Sequence, residues 1–248
     1  MKTIGILGGM SWESTSLYYQ GINRTIASQL GGLHSGKIVL HSDDFALVAQ
    51  MQKAGDWAGL EKRLLAHAQQ LTAAGAEAIL IATNTMHVLA PALSQVLPVP
   101  LLHIAHCTAQ AIQAQGIRQV ALLGTRFTME MPFYRDILAG YGIETLTPDQ
   151  DGRERIHQII FAELCQGQIT MASKTQMLSI IAGLQQQGAE GVILGCTEIP
   201  LLITQADVTV PVFDTTALHI QQAVDFMLST TTDVKVKAEM EEKSVILA

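Results

Sequence analysis

A chain of 248 residues, 48% hydrophobic and 15% charged, is long enough for one large or two modest domains and apolar enough for a substantial core. Its formal net charge of −7, with no basic stripe to reverse the balance locally, excludes a surface built to neutralise phosphates, so nucleic acid is not an expected partner. No apolar run approaches the roughly 20 residues that cross a bilayer, and the N-terminal run is too short for a secretion signal; with three cysteines spaced for neither disulfides nor zinc, the expected setting is the cytoplasm, with no membrane partner.

Lys2 to Leu7 is a compact apolar strand that breaks at Gly8-Gly9-Met10, and Ser11 then offers a cap for a helix running to about Gln29. Lys37 to His41 makes a second strand. Ser42 to Ala54 reads as a short helix carrying Gln52 near its end, and Asp56 to Ala74 as a longer one with Leu60, Leu64, Ala68 and Leu71 on one face and Gly75 at its C-terminus. A strand to Ile81 ends in Thr83-Asn84-Thr85. A helix from Met86 to about Leu97, a strand over Val99 to His103 and a helix from Ala105 to Gln115 follow, the last stopped by Gly116.

The order then begins again. Gln119 to Thr125 is a strand with a glycine break, Met131 to Leu138 a helix, Tyr141 to Leu146 a weaker strand, and Asp151 to Leu164 and Thr170 to Gln187 are helices. Val192 to Leu194 is a buried strand breaking at Gly195-Cys196-Thr197-Glu198; Val210 to Asp214 is another strand, and Thr216 to Leu228 a closing helix. Short apolar runs without alternation are what strands buried on both faces look like, so the expected class is α/β with parallel sheets flanked by helices.

Four anchors recur at nearly constant spacing: Gly8 and Gly124 are 116 residues apart, Gly75 and Gly188 are 113, Thr83 and Cys196 are 113, and Pro100 and Pro211 are 111. This predicts two pseudo-symmetric domains, 1–116 and 117–228, with an active site at their interface, the final helix able to pack back on the first domain, and a tail over 229–248. Open α/β sheets place ligands at the carboxyl ends of their strands, so Thr83 and Cys196 are expected to face one site.

A thiol with an ordinary pKa near 8.5 serves as base when ionised and as acid when protonated, and two such groups on opposite faces of a carbon suit proton exchange at that carbon. Asn84, Thr85, Thr125 and Thr197, with main-chain amides at the strand breaks, are suited to hold a carboxylate. Glu198 would stabilise the following helix or tune Cys196. Cys107 and Cys165 fall on amphipathic helices and read as core. His87 and His219 read as structural, His87 being the better placed of the two for a role at the pocket. Gly5-x-x-Gly8-Gly9 is not a dinucleotide fingerprint, and the His103-x-x-His106-Cys107 cluster has no counterpart in the second half, so no cofactor and no metal are expected.

Ile4-Gly-Ile-Leu-Gly-Gly-Met10, the Asn84-Thr85 pair and Gly195-Cys196-Thr197-Glu198 together resemble the aspartate/glutamate racemase family of cofactor-independent amino-acid racemases, over residues 1 to about 228. The resemblance implies a homodimer acting on a small-molecule amino acid, with two cysteines flanking the α-carbon and Met10 and Gln52 lining the substrate pocket. Cys196 matches the second of those cysteines. Thr83 stands where the family usually has the first, which implies an acidic-amino-acid racemase biased towards the L enantiomer, with Cys196 and Thr83 as the catalytic pair. Lys174 and Arg135 are candidates for the side-chain carboxylate. Two other readings fit the residues: a single-cysteine arylmalonate-type decarboxylase, and a non-catalytic binding protein for acidic amino acids.

Overall fold

The structure, a computed structural model, describes residues 1–229. Its first half runs β1 (Thr3–Gly8), α1 (Trp12–Leu30), β2 (Lys37–Ser42), α2 (Phe45–Ala54), α3 (Trp57–Ala73), β3 (Ala78–Ile81), α4 (Ala90–Val96), β4 (Leu101–Leu102) and α5 (Ile104–Ala114). The second half runs β5 (Gln119–Gly124), α6 (Arg126–Glu130), α7 (Pro132–Gly140), β6 (Glu144–Leu146), α8 (Gln150–Ala162), α9 (Met171–Gln186), β7 (Gly191–Gly195), β8 (Val212–Asp214) and α10 (Thr215–Leu228). Apart from Ser229, the expected tail lies outside the described residues.

The strands form two four-stranded sheets, ordered β2-β1-β3-β4 and β6-β5-β7-β8, and every pairing is parallel. The two orders are the same once the second half is matched to the first, as the recurring anchors predict. β3 and β7 are buried at every residue, which is why their sequences show no polar alternation.

Helix starts follow side-chain chemistry. Ser11, Asp44, Asp56, Thr125, Asp149, Thr170 and Asp214 each accept a hydrogen bond from a main-chain N–H in the first turn of the helix they precede. The segment after Asn84 departs from the expected single helix: a 3-10 turn over Thr85–Leu89 precedes α4, and Pro91 stands at the α-helical start, where its missing N–H costs nothing. The strand expected over Val99 to His103 shrinks to Leu101–Leu102, because Pro100 has no N–H for the ladder.

Two helices leave the sheet whose last strand precedes them. α5 buries Ile104, Ala105, Ala109 and Ile112 with Val120, Leu122 and Ile193 of the second sheet. In return α10 buries Ile220, Ala223, Val224 and Met227 against Ile4 and Ile6 of the first sheet and Tyr18 of α1. Each fully buried aliphatic side chain contributes roughly 1.5–3 kcal/mol, so the exchange binds the halves through apolar packing as well as through the cleft. His219 of α10 adds hydrogen bonds to Tyr18 Oη at 2.9 Å and to the Leu102 carbonyl at 2.8 Å.

Candidate active site

The carboxyl ends of β1, β3, β5 and β7 converge on one cleft. Met10, Gln52, Thr83, Asn84, Thr85, Thr125, Cys196, Thr197 and Glu198 line it, whereas Lys174 and Arg135, the candidates for a side-chain carboxylate, do not. Its free volume is about 30 Å³, room for roughly one or two water molecules.

On the first-half wall, β1 turns sharply at Gly9, whose φ of 80° and contact with the Asp43 backbone leave no space for a Cβ. The chain then reaches Ser11, which caps α1 and also donates to Glu198 Oε1 at 3.1 Å. Behind β3, Ser14 Oγ donates to the Ala82 carbonyl at 2.6 Å and His87 Nδ1 to the Thr83 carbonyl at 2.8 Å. His87 Nε2 accepts from the Ile104 N–H at 3.3 Å, which fixes the tautomer with the proton on Nδ1. His87 is fully buried, and burial, reinforced by His103 and His219, holds its pKa well below the usual imidazole value. It stands behind the wall as a neutral strut for Thr83. The Thr83 hydroxyl itself makes no hydrogen bond among the described residues, so no protein base activates it.

Asn84 has a defined orientation. Thr215 Oγ1 donates to the Leu194 carbonyl at 2.9 Å, which can only accept, so Asn84 must donate its Nδ2 to Thr215, at 3.0 Å. Asn84 Oδ1 is left buried without a partner. The sequence casts Asn84 as a carboxylate holder; with its N–H spent on Thr215, its spare atom is an acceptor, suited to an ammonium. Donors come instead from hydroxyls. Thr85 Oγ1 and Thr125 Oγ1 meet across the two halves at 3.0 Å, and Thr128 Oγ1 lies 3.2 Å from Thr125 Oγ1.

On the second-half wall, Cys196 Sγ donates to Glu198 Oε2 at 2.8 Å and Thr197 Oγ1 to the same oxygen at 2.7 Å. Cys196 is 7% exposed and Glu198 5%. Burial, and secondly the Glu198 charge, push the Cys196 thiol well above its usual value, so it rests protonated with an acceptor in contact. Proton transfer from Sγ to the carboxylate would create a thiolate without changing the charge of the pair. The basic form is then reached without adding a second charge to the buried cleft.

Ser11, Phe45, Ile160, Phe161 and Cys165, not expected at the site from the sequence, line the same cleft. Cys165, expected in a helix core, sits in a 3-10 turn (Leu164–Gln166), where it lines the cleft; burial and the nearby Glu198 raise its thiol to about 12. Ser11 was legible as a cap only. His103, His106 and Cys107 do not form a ligand set: Cys107 Sγ donates to the Ile104 carbonyl, and His103 Nδ1 accepts from the Ala105 N–H. Among the described residues, His41, Asp43 and His67 do cluster with ligand atoms within 4.8 Å of one another, but Asp43 is already held by Arg63 Nε at 2.6 Å.

Two parallel α/β halves bring a buried thiol and hydroxyls from both halves to one cleft, an arrangement suited to proton transfer at a substrate carbon. Residues 7–223 match the model of the Asp/Glu/Hydantoin racemase family. The fold matches a Yersinia pestis crystal structure assigned to the Asp/Glu racemases, at 49% identity and a TM-score of 0.87, over 92% of this chain and 100% of that one. It also matches an aspartate racemase homologue from Pyrococcus horikoshii OT3 at 35% identity and a TM-score of 0.80, over 92% and 100% of the two chains. In sequence the chain is 24% identical to the broad specificity amino-acid racemase RacX of Bacillus subtilis, over 91% of this chain and 98% of that one. The chain belongs to the Asp/Glu/hydantoin racemase family. It is thereby an amino-acid racemase, an isomerase of the kind that works without pyridoxal phosphate. Among the described residues no helix is long and apolar enough to cross a membrane.

Proposed function

We propose that the cleft racemises a free α-amino acid, with Cys196 removing the α-proton of the L enantiomer and the Thr83 side delivering a proton to the opposite face. The observation that carries this reading is the Cys196 to Glu198 hydrogen bond of 2.8 Å in a buried cleft whose facing wall holds Thr83. Glu198 accepts the thiol proton, the thiolate takes the α-proton, and the carbanion is held by hydrogen bonding from the Thr85 and Thr125 hydroxyls to the substrate carboxylate. The unpartnered Asn84 Oδ1 receives the ammonium.

Thr83 is a poor acid and has no activating partner, so water carries the returning proton to its hydroxyl. Turnover is therefore slow and faster from L than from D. The free volume is far smaller than an amino acid, so the halves part to admit substrate and close over it. Acidic amino acids are the substrates that the family description supplies; recognition of ammonium and α-carboxylate at this cleft serves any α-amino acid equally. The decarboxylase reading is disfavoured by Asn84: an unpaired acceptor repels the second carboxylate of a malonate and attracts an ammonium.

The test is exchange of the α-proton in D2O, followed by chiral separation of the product. Deuterium at the α-carbon with no loss of carbon supports the racemase; decarboxylation, or binding without exchange, supports a rival. Full turnover by Cys196→Ser together with loss of activity in Thr83→Ala would overturn the assignment of roles.

A further inference from the structure

We infer that this racemase takes amino acids with uncharged, apolar side chains in preference to aspartate and glutamate. The inference rests on the proposed racemase reading and adds the substrate class.

The polar groups of the cleft gather around the reacting carbon. Thr83, Asn84 and Thr85 stand on one wall, Cys196, Thr197 and Glu198 on the other. What remains for the substrate side chain is apolar: Met10, Phe45, Ile160 and Phe161. Phe45 opens α2 in the first half and Phe161 lies near the end of α8 in the second. Their rings stack with centroids 6.4 Å apart and planes at 19°, so they meet across the cleft like a clasp. His157 lies against Phe161 at 4.7 Å with its ring tilted by 54°; burial and the neighbouring Arg126 lower its proton affinity, so it supplies no fixed cation there.

Among the described residues that line the cleft, none is Lys, Arg or His. The two basic residues expected to meet a side-chain carboxylate are elsewhere. Lys174 Nζ is 2.7 Å from Asp207 Oδ1, and Arg135 lines a separate surface hollow beside Glu130 and Arg153. Gln52, the remaining neutral donor, directs Nε2 to Met86 Sδ at 3.1 Å. The acid in the lining, Glu198, has its oxygens engaged by Ser11, Cys196 and Thr197.

An aspartate or glutamate side chain entering this wall would lose its hydration, find no counter-cation and share the cleft with Glu198. Desolvation and like-charge repulsion act in the same direction. An apolar side chain instead exchanges water for aromatic and aliphatic surface, and a thioether adds a favourable contact with the ring edges.

The test offers L-leucine, L-methionine, L-aspartate and L-glutamate in D2O to the full chain, singly and as an equimolar mixture, and follows loss of each α-proton by NMR. Leucine or methionine should exchange at least tenfold faster than either acid. Phe161→Arg, which sets a cation against the same wall, should move that ratio tenfold or more towards the acids. Equal or faster exchange of aspartate or glutamate by the native protein overturns the substrate class and leaves the racemase standing. Exchange of none of the four overturns this inference, and absence of exchange across the other common L-amino acids, offered next, overturns the racemase reading with it.

Discussion

The Cys196 thiol donates to Glu198 Oε2 at 2.8 Å, and that carboxylate is held from the other half of the molecule by Ser11 at 3.1 Å. The thiol thus has an acceptor for its proton, and that acceptor is tied to the facing half through its other oxygen. Substituting the acceptor separates the roles. Glu198→Gln keeps the shape but cannot take the proton, so the buried thiol must ionise towards water, and burial alone still holds its pKa high. The exchange rate of an L substrate at pH 7 should fall by about 100-fold or more, the usual scale for losing a general base. In the variant the rate should rise about tenfold per pH unit between pH 7 and 9, as thiolate becomes available, whereas the native profile stays nearly flat. A native-like rate and profile in Glu198→Gln would remove Glu198 from the proton path.

Thr83 is the test of asymmetry. Thr83→Cys places a second thiol on the facing wall, where the carbonyls of Ala82 and Thr83 are already held by Ser14 and His87. Exchange from the D enantiomer should rise tenfold or more while exchange from L changes less. Measuring both initial rates by chiral chromatography decides it; no gain with the D enantiomer would place Thr83 away from the reacting carbon.

Thr215 holds Asn84 without touching substrate. Thr215→Val removes the donor to the Leu194 carbonyl and the acceptor for Asn84 Nδ2, so two buried groups lose partners and the Asn84 amide is free to turn. A stability loss of about 1–3 kcal/mol is expected in denaturant titration. KM should rise about tenfold with a smaller change in kcat, because ammonium binding is lost ahead of chemistry. Thr215→Ser, which keeps the hydroxyl, should restore both. An unchanged KM in the valine variant would show that Asn84 does not receive the ammonium.

Much of this architecture is local in origin and so was legible. Strand breaks at Gly8, Gly124 and Gly195, hydroxyl and carboxylate caps, and anchors recurring about half a chain apart led to two matched parallel sheets and to Thr83 and Cys196 lining one cleft. What stayed hidden depends on contacts far apart in sequence. Ile160 and Phe161 carry the same periodic signal as any core-facing helix, and nothing local says that α8 reaches the cleft. Ser11 showed its capping role because that bond is three residues away, whereas its bond to Glu198 spans 187. The direction of the Asn84 amide follows only from Thr215, 131 residues on. The final helix was expected to be able to pack back on the first domain, but the matching crossing of α5 onto the second sheet was not, since an apolar helix face could cover either sheet.

Buried histidines set the acid limit of stability. His87 and His219 are fully buried and His103 partly so; desolvation is the first cause of each depressed pKa, to about 4 for His219 and about 3 for His103. In the unfolded chain these rings bind protons near pH 6.5, while in the folded chain they stay neutral. The unfolded state therefore takes up more protons as pH falls below 6.5, and stability declines with a slope of about 1.4 kcal/mol per pH unit for each ring until its folded value is reached. For His219 alone the loss down to pH 4 is roughly 3 kcal/mol, a large share of the 5–15 kcal/mol typical of a folded domain. Asp207, whose pKa is held at about 2 by Lys174, adds to the loss only at more acid pH. Urea titrations from pH 7.5 to 4.5 should show the midpoint falling steeply below pH 6.5. His219→Gln, which can still donate to the Leu102 carbonyl but cannot take up a proton, should flatten that fall while lowering the plateau. A pH-independent midpoint in the native protein would mean that these rings bind protons equally well folded and unfolded.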